Sequence, residues 1–109
     1  MTNTWLIEKL VCKASQDGLS NVVYEVHWRY VKSLTLNGEE YSVNNSGVAK
    51  LSLPDPNSFT GYDDLTKAQV VTWVQAKLGQ EYIADMDSRL TSSINDKSTQ
   101  VILDLPFEN

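Results

Sequence analysis

Cysteine and histidine each occur once in the 109 residues, and proline only three times. The single thiol, Cys12, excludes an internal disulfide. It also excludes zinc sites built on paired cysteines, and the lone His27 excludes multi-histidine metal sites. The five glycines are scattered at positions 18, 38, 47, 61 and 79. That dispersal leaves no glycine-rich phosphate loop, no dinucleotide fingerprint and no Gly-x-Ser-x-Gly elbow. No apolar run approaches the roughly 20 residues that cross a bilayer. The opening MTNTWLIEKLVCK has neither the basic leader nor the apolar stretch of a secretory signal. These features predict a chain made and kept in a cytoplasm unless a larger particle carries it elsewhere.

Basic charge is scarce too. Nine Lys and Arg stand against fourteen Asp and Glu, a formal charge of −5. A non-specific nucleic-acid binder carries a basic footprint, and so does a polybasic membrane-surface binder, so neither partner class is expected. What is present is ordinary for a globular chain: 41% hydrophobic and 21% charged residues. The length fits one domain. There is no internal repeat and no low-complexity segment.

Composition changes once. Residues 1–53 read mainly as strands, 54–65 as a linker, 66–95 as helices, and 96–109 as an extended tail or last strand. The order predicts a single α+β domain: an antiparallel sheet of three to four strands with a C-terminal two-helix hairpin packed on one face. Residues 5–14 form a first strand, with Leu6, Leu10 and Cys12 on one face and Trp5, Ile7 and Val11 on the other. Cys12 reads as a buried small hydrophobe. A turn is expected at 16–18.

Residues 21–36 give the clearest strand. Val22, Tyr24, Val26, Trp28 and Tyr30 alternate onto one apolar face, and Val23, Glu25, His27, Arg29 and Val31 onto a mixed one. Asn37–Gly38 matches a type I′ hairpin turn, whose two central residues need positive φ. A return strand follows from Glu39 to about Leu53, and residues 44–47 (Asn-Asn-Ser-Gly) predict a bulge, a bend or a break within it. Prolines 54 and 56 end the sheet region, because proline lacks the donor a ladder needs. Phe59 and Tyr62 are expected to pin the linker to the domain.

Thr66 and Gln69 fit a capping box, with Leu65 and Val70 as the hydrophobic staple. Val70, Trp73, Val74 and Leu78 then follow at helical spacing. Lys77 lies in the last turn, and Gly79 reads as a left-handed cap. Ile83, Met86, Leu90 and Ile94 define a second helix over about 80–95, with Glu81, Asp85, Asp87 and Arg89 on its other sides. Residues 95–99 read as a polar loop. Trp28 and Trp73 are expected to meet in the core between sheet and helices.

Glu25, His27 and Arg29 share a strand face and are the nearest approach to an acid–base constellation. A general base needs a positioned partner and a pocket. Three charged residues at alternate strand positions form a solvated face more readily. Asp85 and Asp87, two apart on a helix, diverge. Residues 55–57 lack the alternating ligands and closing Glu of a calcium loop. No catalytic residue, cofactor or metal is therefore expected. Trp5 and Phe107, near the two ends, are either core or anchors on a partner surface.

The run CKASQDGLSNVVYEVHW (12–28), the run PDPNSFTGYDDLTKAQVVTWV (54–74) and the closing LPF (105–107) resemble a family of small proteins of tailed bacteriophages, cyanophages included. The resemblance covers nearly the whole chain and brings no catalytic residue with it. It implies a virion structural subunit, a capsid decoration, neck or tail component without enzymatic activity. Such a protein acts through contacts with other virion proteins or with itself, in the virion and in the host cytoplasm during infection. Trp5, Glu25, His27, Arg29 and Phe107 are then the candidate interaction residues. The alternative is a non-virion phage factor that binds and modulates a host protein, since an acidic surface suits basic partners. An apolar tail could add a strand to a neighbour's sheet edge or close its own sheet.

Overall fold

A computed structural model describes residues 1–16, 18–52, 59–101 and 103–108. The proline segment at 54–57 lies outside the described residues, as does Asp17 of the turn expected at 16–18, where Gln16 pairs with Leu19 and Gly18 has φ 80°. Three strands, β1 (Thr2–Gln16), β2 (Leu19–Leu36) and β3 (Glu39–Lys50), form an antiparallel sheet in the order β1-β2-β3. A short 3₁₀ turn (Tyr62–Asp64) leads to α1 (Lys67–Leu78) and α2 (Gln80–Thr99). The arrangement is α+β, with both helices on one face of the sheet. The strands are unusually long. At about 3.4 Å per residue, the 18 residues of β2 span about 60 Å. The radius of gyration is accordingly 19.5 Å, against about 13 Å for a compact chain of this length.

The β2–β3 turn forms as its residues dictate. Asn37 and Gly38 have φ of 52° and 81°, and Leu36 pairs with Glu39 across the turn. Val26, Trp28 and Tyr30 of β2 are buried beneath the helices, along with Ala49 and Val43 of β3. Val70 and Val74 of α1 and Met86, Leu90 and Ile94 of α2 complete that core.

β1 departs from its simple alternation. The register shifts between Ile7 and Lys9, an irregularity of the bulge type, so Trp5 pairs with Tyr30, Ile7 with Trp28, and Leu10 with Val26. Directly paired residues share a face. The extra residue therefore brings Leu10 onto the face of Trp5 and Ile7, and all three pack on the core. Leu6 is left opposite Arg29 and exposed. Cys12 is half-buried against the core, and burial pushes its thiol pKa up.

β3 does not break at residues 44–47. Its pairing with β2 runs without a shift from Glu39 to Lys50. Gly47 lies opposite Trp28, and the buried indole occupies the space a side chain would need. A Cβ at Gly47 would sit 2.7 Å from Trp28 Cζ2 and 3.0 Å from Cε2. Gly47→Ala should lower stability by about 1–3 kcal/mol through overpacking, read from the midpoint of urea unfolding. A midpoint equal to wild type would remove this account of the glycine.

Trp28 does not meet Trp73. Its aromatic neighbour is Trp5, with ring centroids 5.6 Å apart, and Trp5 lies 4.7 Å from Tyr30. Trp73 is only half-buried on α1. The helix starts at the expected cap: the Thr66 hydroxyl accepts from the Gln69 N–H at 3.2 Å. The reciprocal half of the capping box is replaced, because the Gln69 amide donates to the Thr60 hydroxyl at 3.0 Å.

Gly79 has φ 85° but ψ 154°, so it is not a left-handed helical cap. Its N–H closes α1 on the Gln75 carbonyl, and its own carbonyl accepts from Ile83 N–H. One residue thus ends one helix and begins the next. α2 runs on through 95–99, where the Ser98 and Thr99 hydroxyls bond back to the Asn95 carbonyl. These polar residues satisfy themselves along the helix instead of leaving it. Beyond Gln100, no described residue joins the sheet.

Candidate functional site

Four features could carry function: the open face of the sheet, a polar contact beneath α2, a cleft beside α1 and the C-terminal arm. The open face bears Glu25, His27 and Arg29. His27 Nε2 lies 2.9 Å from Glu25 Oε2, with side chains 33% and 21% exposed. Arg29 pairs with Glu8 of β1 and donates to Asn44 Oδ1 at 3.3 Å. The structure thus ties Glu25 to His27 but turns Arg29 towards Glu8. Leu6 and Val48, which pair with Arg29 and His27, are exposed on the same face. Among the described residues, no element covers this broad surface. Ion pairs in such a setting contribute little. His27→Ala should therefore change unfolding free energy by less than about 1 kcal/mol, measured by denaturant titration. A loss several times larger would assign the histidine a buried structural role.

The polar contact beneath α2 was not legible in the sequence as a site. Asp87 Oδ1 accepts from the Tyr30 hydroxyl at 2.8 Å and from Lys32 Nζ at 2.9 Å. Lys32 is only 5% exposed. The hydrogen bonds from Lys32 and Tyr30 hold the Asp87 carboxyl below its ordinary range. Burial, followed by the bond to Asp87, pushes the Tyr30 phenol up to about 12. Asp87 therefore faces the sheet and not the solvent-facing side of α2. Asp85 diverges from it and pairs with Arg89 one turn on, at 3.0 Å. One signal was available. Lys32 continues the even-numbered apolar face of β2, where a cation requires a partner. The contact is a clamp between helix and sheet.

A cleft of about 460 Å³ opens between the start of β2, the residues just past β3 and one side of α1. Val22, Leu51, Phe59, Leu65 and Trp73 give it apolar walls, and Lys77 supplies a cation at its border. Phe59 is thus held at the body of the domain, whereas Tyr62 is exposed. The volume falls within the range of small-molecule pockets. Among the described residues, no three His, Cys, Asp or Glu side chains gather as a metal site. Nor is any described helix long and apolar enough to cross a membrane.

The C-terminal arm is the clearest exposed apolar feature. Val101, Leu103, Leu105 and Phe107 are 75%, 78%, 61% and 61% exposed. Of the two terminal aromatics, Trp5 belongs to the aromatic cluster under the helices, and Phe107 stands free on the arm.

A family described as a domain of unknown function, DUF7936, matches residues 1–104. No curated protein and no solved structure matches the chain.

Proposed function

The chain belongs to the DUF7936 family, a domain of unknown function, and from its exposed arm and its resemblance to phage proteins we propose that it is a non-enzymatic subunit acting through protein–protein contacts, as a structural component of a bacteriophage particle. The observation that carries this reading is the arm. Large apolar side chains this exposed add little to the packing of the core, and exposed patches of this kind mark interaction surfaces. The charged groups of the structured body add support. His27 is paired with Glu25, Arg29 with Glu8, Lys32 with Asp87, and Arg89 with Asp85. Each of these side chains is tied to a near neighbour, and none of the four pairs lines the cleft beside α1. The phage setting rests on the sequence resemblance, which suits a capsid decoration, neck or tail component.

Mass spectrometry of purified virions tests this function. The chain should be present at a stoichiometric level, and its absence would remove the reading. The net charge of −5 favours a second one, a non-virion factor that binds a basic host protein. A salt-sensitive, stoichiometric host partner recovered on the immobilised chain, together with absence from virions, would select it.

A further inference from the structure

We infer that the C-terminal arm of one copy docks in the cleft beside α1 of a second copy. This inference deepens the reading of the protein as an assembly subunit and rests on it. Four observations meet here. The first is chemical fit. In an extended segment, Leu103 and Leu105 project to the same side, with Phe107 beyond a bend at 106–107, and the cleft offers the partly exposed Leu51, Phe59, Leu65 and Trp73 to receive them. The second is charge. Asp104 and Glu108 flank those apolar residues, and Lys77 stands at the cleft.

The third is reach. The cleft runs along α1, and its Lys77 end lies at the start of α2, just before the Gly79 joint. The arm leaves the far end of α2, which at 1.5 Å per residue is about 30 Å away. From Gln100 to Phe107 the chain spans at most about 25 Å. In the structure Leu103, Leu105 and Phe107 stand 78%, 61% and 61% exposed, clear of that cleft, and the short reach favours the cleft of another molecule. The fourth is proline. Pro106 removes a backbone donor and favours an extended conformation, which suits an arm laid in a groove over a strand inside a sheet. Arm and cleft are different surfaces, so the contact runs from donor to acceptor.

Sedimentation velocity on the full chain over a concentration series tests the contact. The wild type should self-associate. Leu103→Asp with Leu105→Asp disables the arm, and Ala76→Glu with Lys77→Glu disables the cleft. Each double variant should weaken association by about a hundredfold, as expected for losing central apolar anchors or their pocket. Far-UV circular dichroism and melting temperature should stay at wild-type values, because all four positions are exposed. Lys77→Glu alone replaces the cleft double variant if that one does not fold. Mixing the arm variant with the cleft variant should restore a one-to-one complex, since one intact arm then meets one intact cleft.

A wild type that stays monomeric throughout overturns the inference. So does either variant associating as tightly as wild type, or a mixture that remains monomeric. A monomeric chain that is nonetheless stoichiometric in virions overturns the arm contact alone and leaves the structural-subunit reading standing.

Discussion

Trp28→Ala should lower the unfolding free energy by about 3–5 kcal/mol, the range for removing a buried aromatic side chain. The ring is 2% exposed and sits where three elements meet. Trp5 of β1 packs against it at 5.6 Å, and Gly47 of β3 lies beneath it with no side chain to intervene. Removing the indole leaves a cavity that these neighbours cannot fill, because Gly47 has nothing to extend and Trp5 is also packed on Tyr30. A loss of this size is a large fraction of the stability of a small domain. Trp73→Ala should cost less, about 1–2 kcal/mol, because its ring is half-buried at the edge of the cleft. Urea unfolding monitored by circular dichroism orders the two. Equal losses would refute the assignment of one tryptophan to the core and the other to the cleft wall. Trp28 Nε1 is buried without a hydrogen-bond partner among the described residues, so the ring is held by packing alone.

Asp87→Ala should cost about 2–4 kcal/mol, because it strands the ammonium of Lys32 under α2. Breaking a fully buried pair costs more, and Asp87 itself is 35% exposed, which moderates the loss. The double variant Lys32→Met with Asp87→Ala should recover most of it, since an apolar replacement of both partners removes the stranded charge. If the double variant is no more stable than Asp87→Ala, the pair is not the source of the loss.

The same contact fixes a pH response. Asp87 is held below its ordinary value of 3.8, so its contribution is present above about pH 4 and lost as pH falls through its lowered folded value. Tyr30 is raised from 10.0 to about 12, so its contribution is full below pH 10 and lost as pH rises towards 12. Stability should therefore fall off on both sides of a broad plateau. In Asp87→Asn the acid limb should shrink, as measured by urea titrations across the acid range. An unchanged acid limb in that variant would assign the acid sensitivity to other carboxylates.

Much of the fold was legible because it follows from neighbours close in sequence. The type I′ turn at Asn37–Gly38 needs only two residues that tolerate positive φ. The Thr66 cap needs a hydroxyl three residues before an N–H. Val70 and Val74, and Met86, Leu90 and Ile94, needed only the helical period to reveal the faces that are buried. Where the structure departs from local pattern, the cause is a partner that composition does not show. The polar composition of 95–99 points to a loop, whereas the back-bonding of Ser98 and Thr99 to Asn95 lets the helix continue. Residues 44–47 point to a bulge, a bend or a break, because the ring that fills the space above Gly47 belongs to Trp28 of another strand.

By itself, then, the sequence determined the α+β order of elements, the long alternating β2, the hairpin turn, the helix start at Thr66 and the apolar stripes of both helices. Tertiary structure alone decided that Leu10 joins Trp5 and Ile7, that Trp28 seats on Gly47, and that Asp87 crosses to Lys32 and Tyr30, the latter 57 positions away. It also decided that the apolar arm stays off the core. The physical reason is the range of the forces involved. Backbone preference and capping act within one or two turns of chain, whereas a side chain's partner depends on register between distant segments, which one irregularity in β1 is enough to shift.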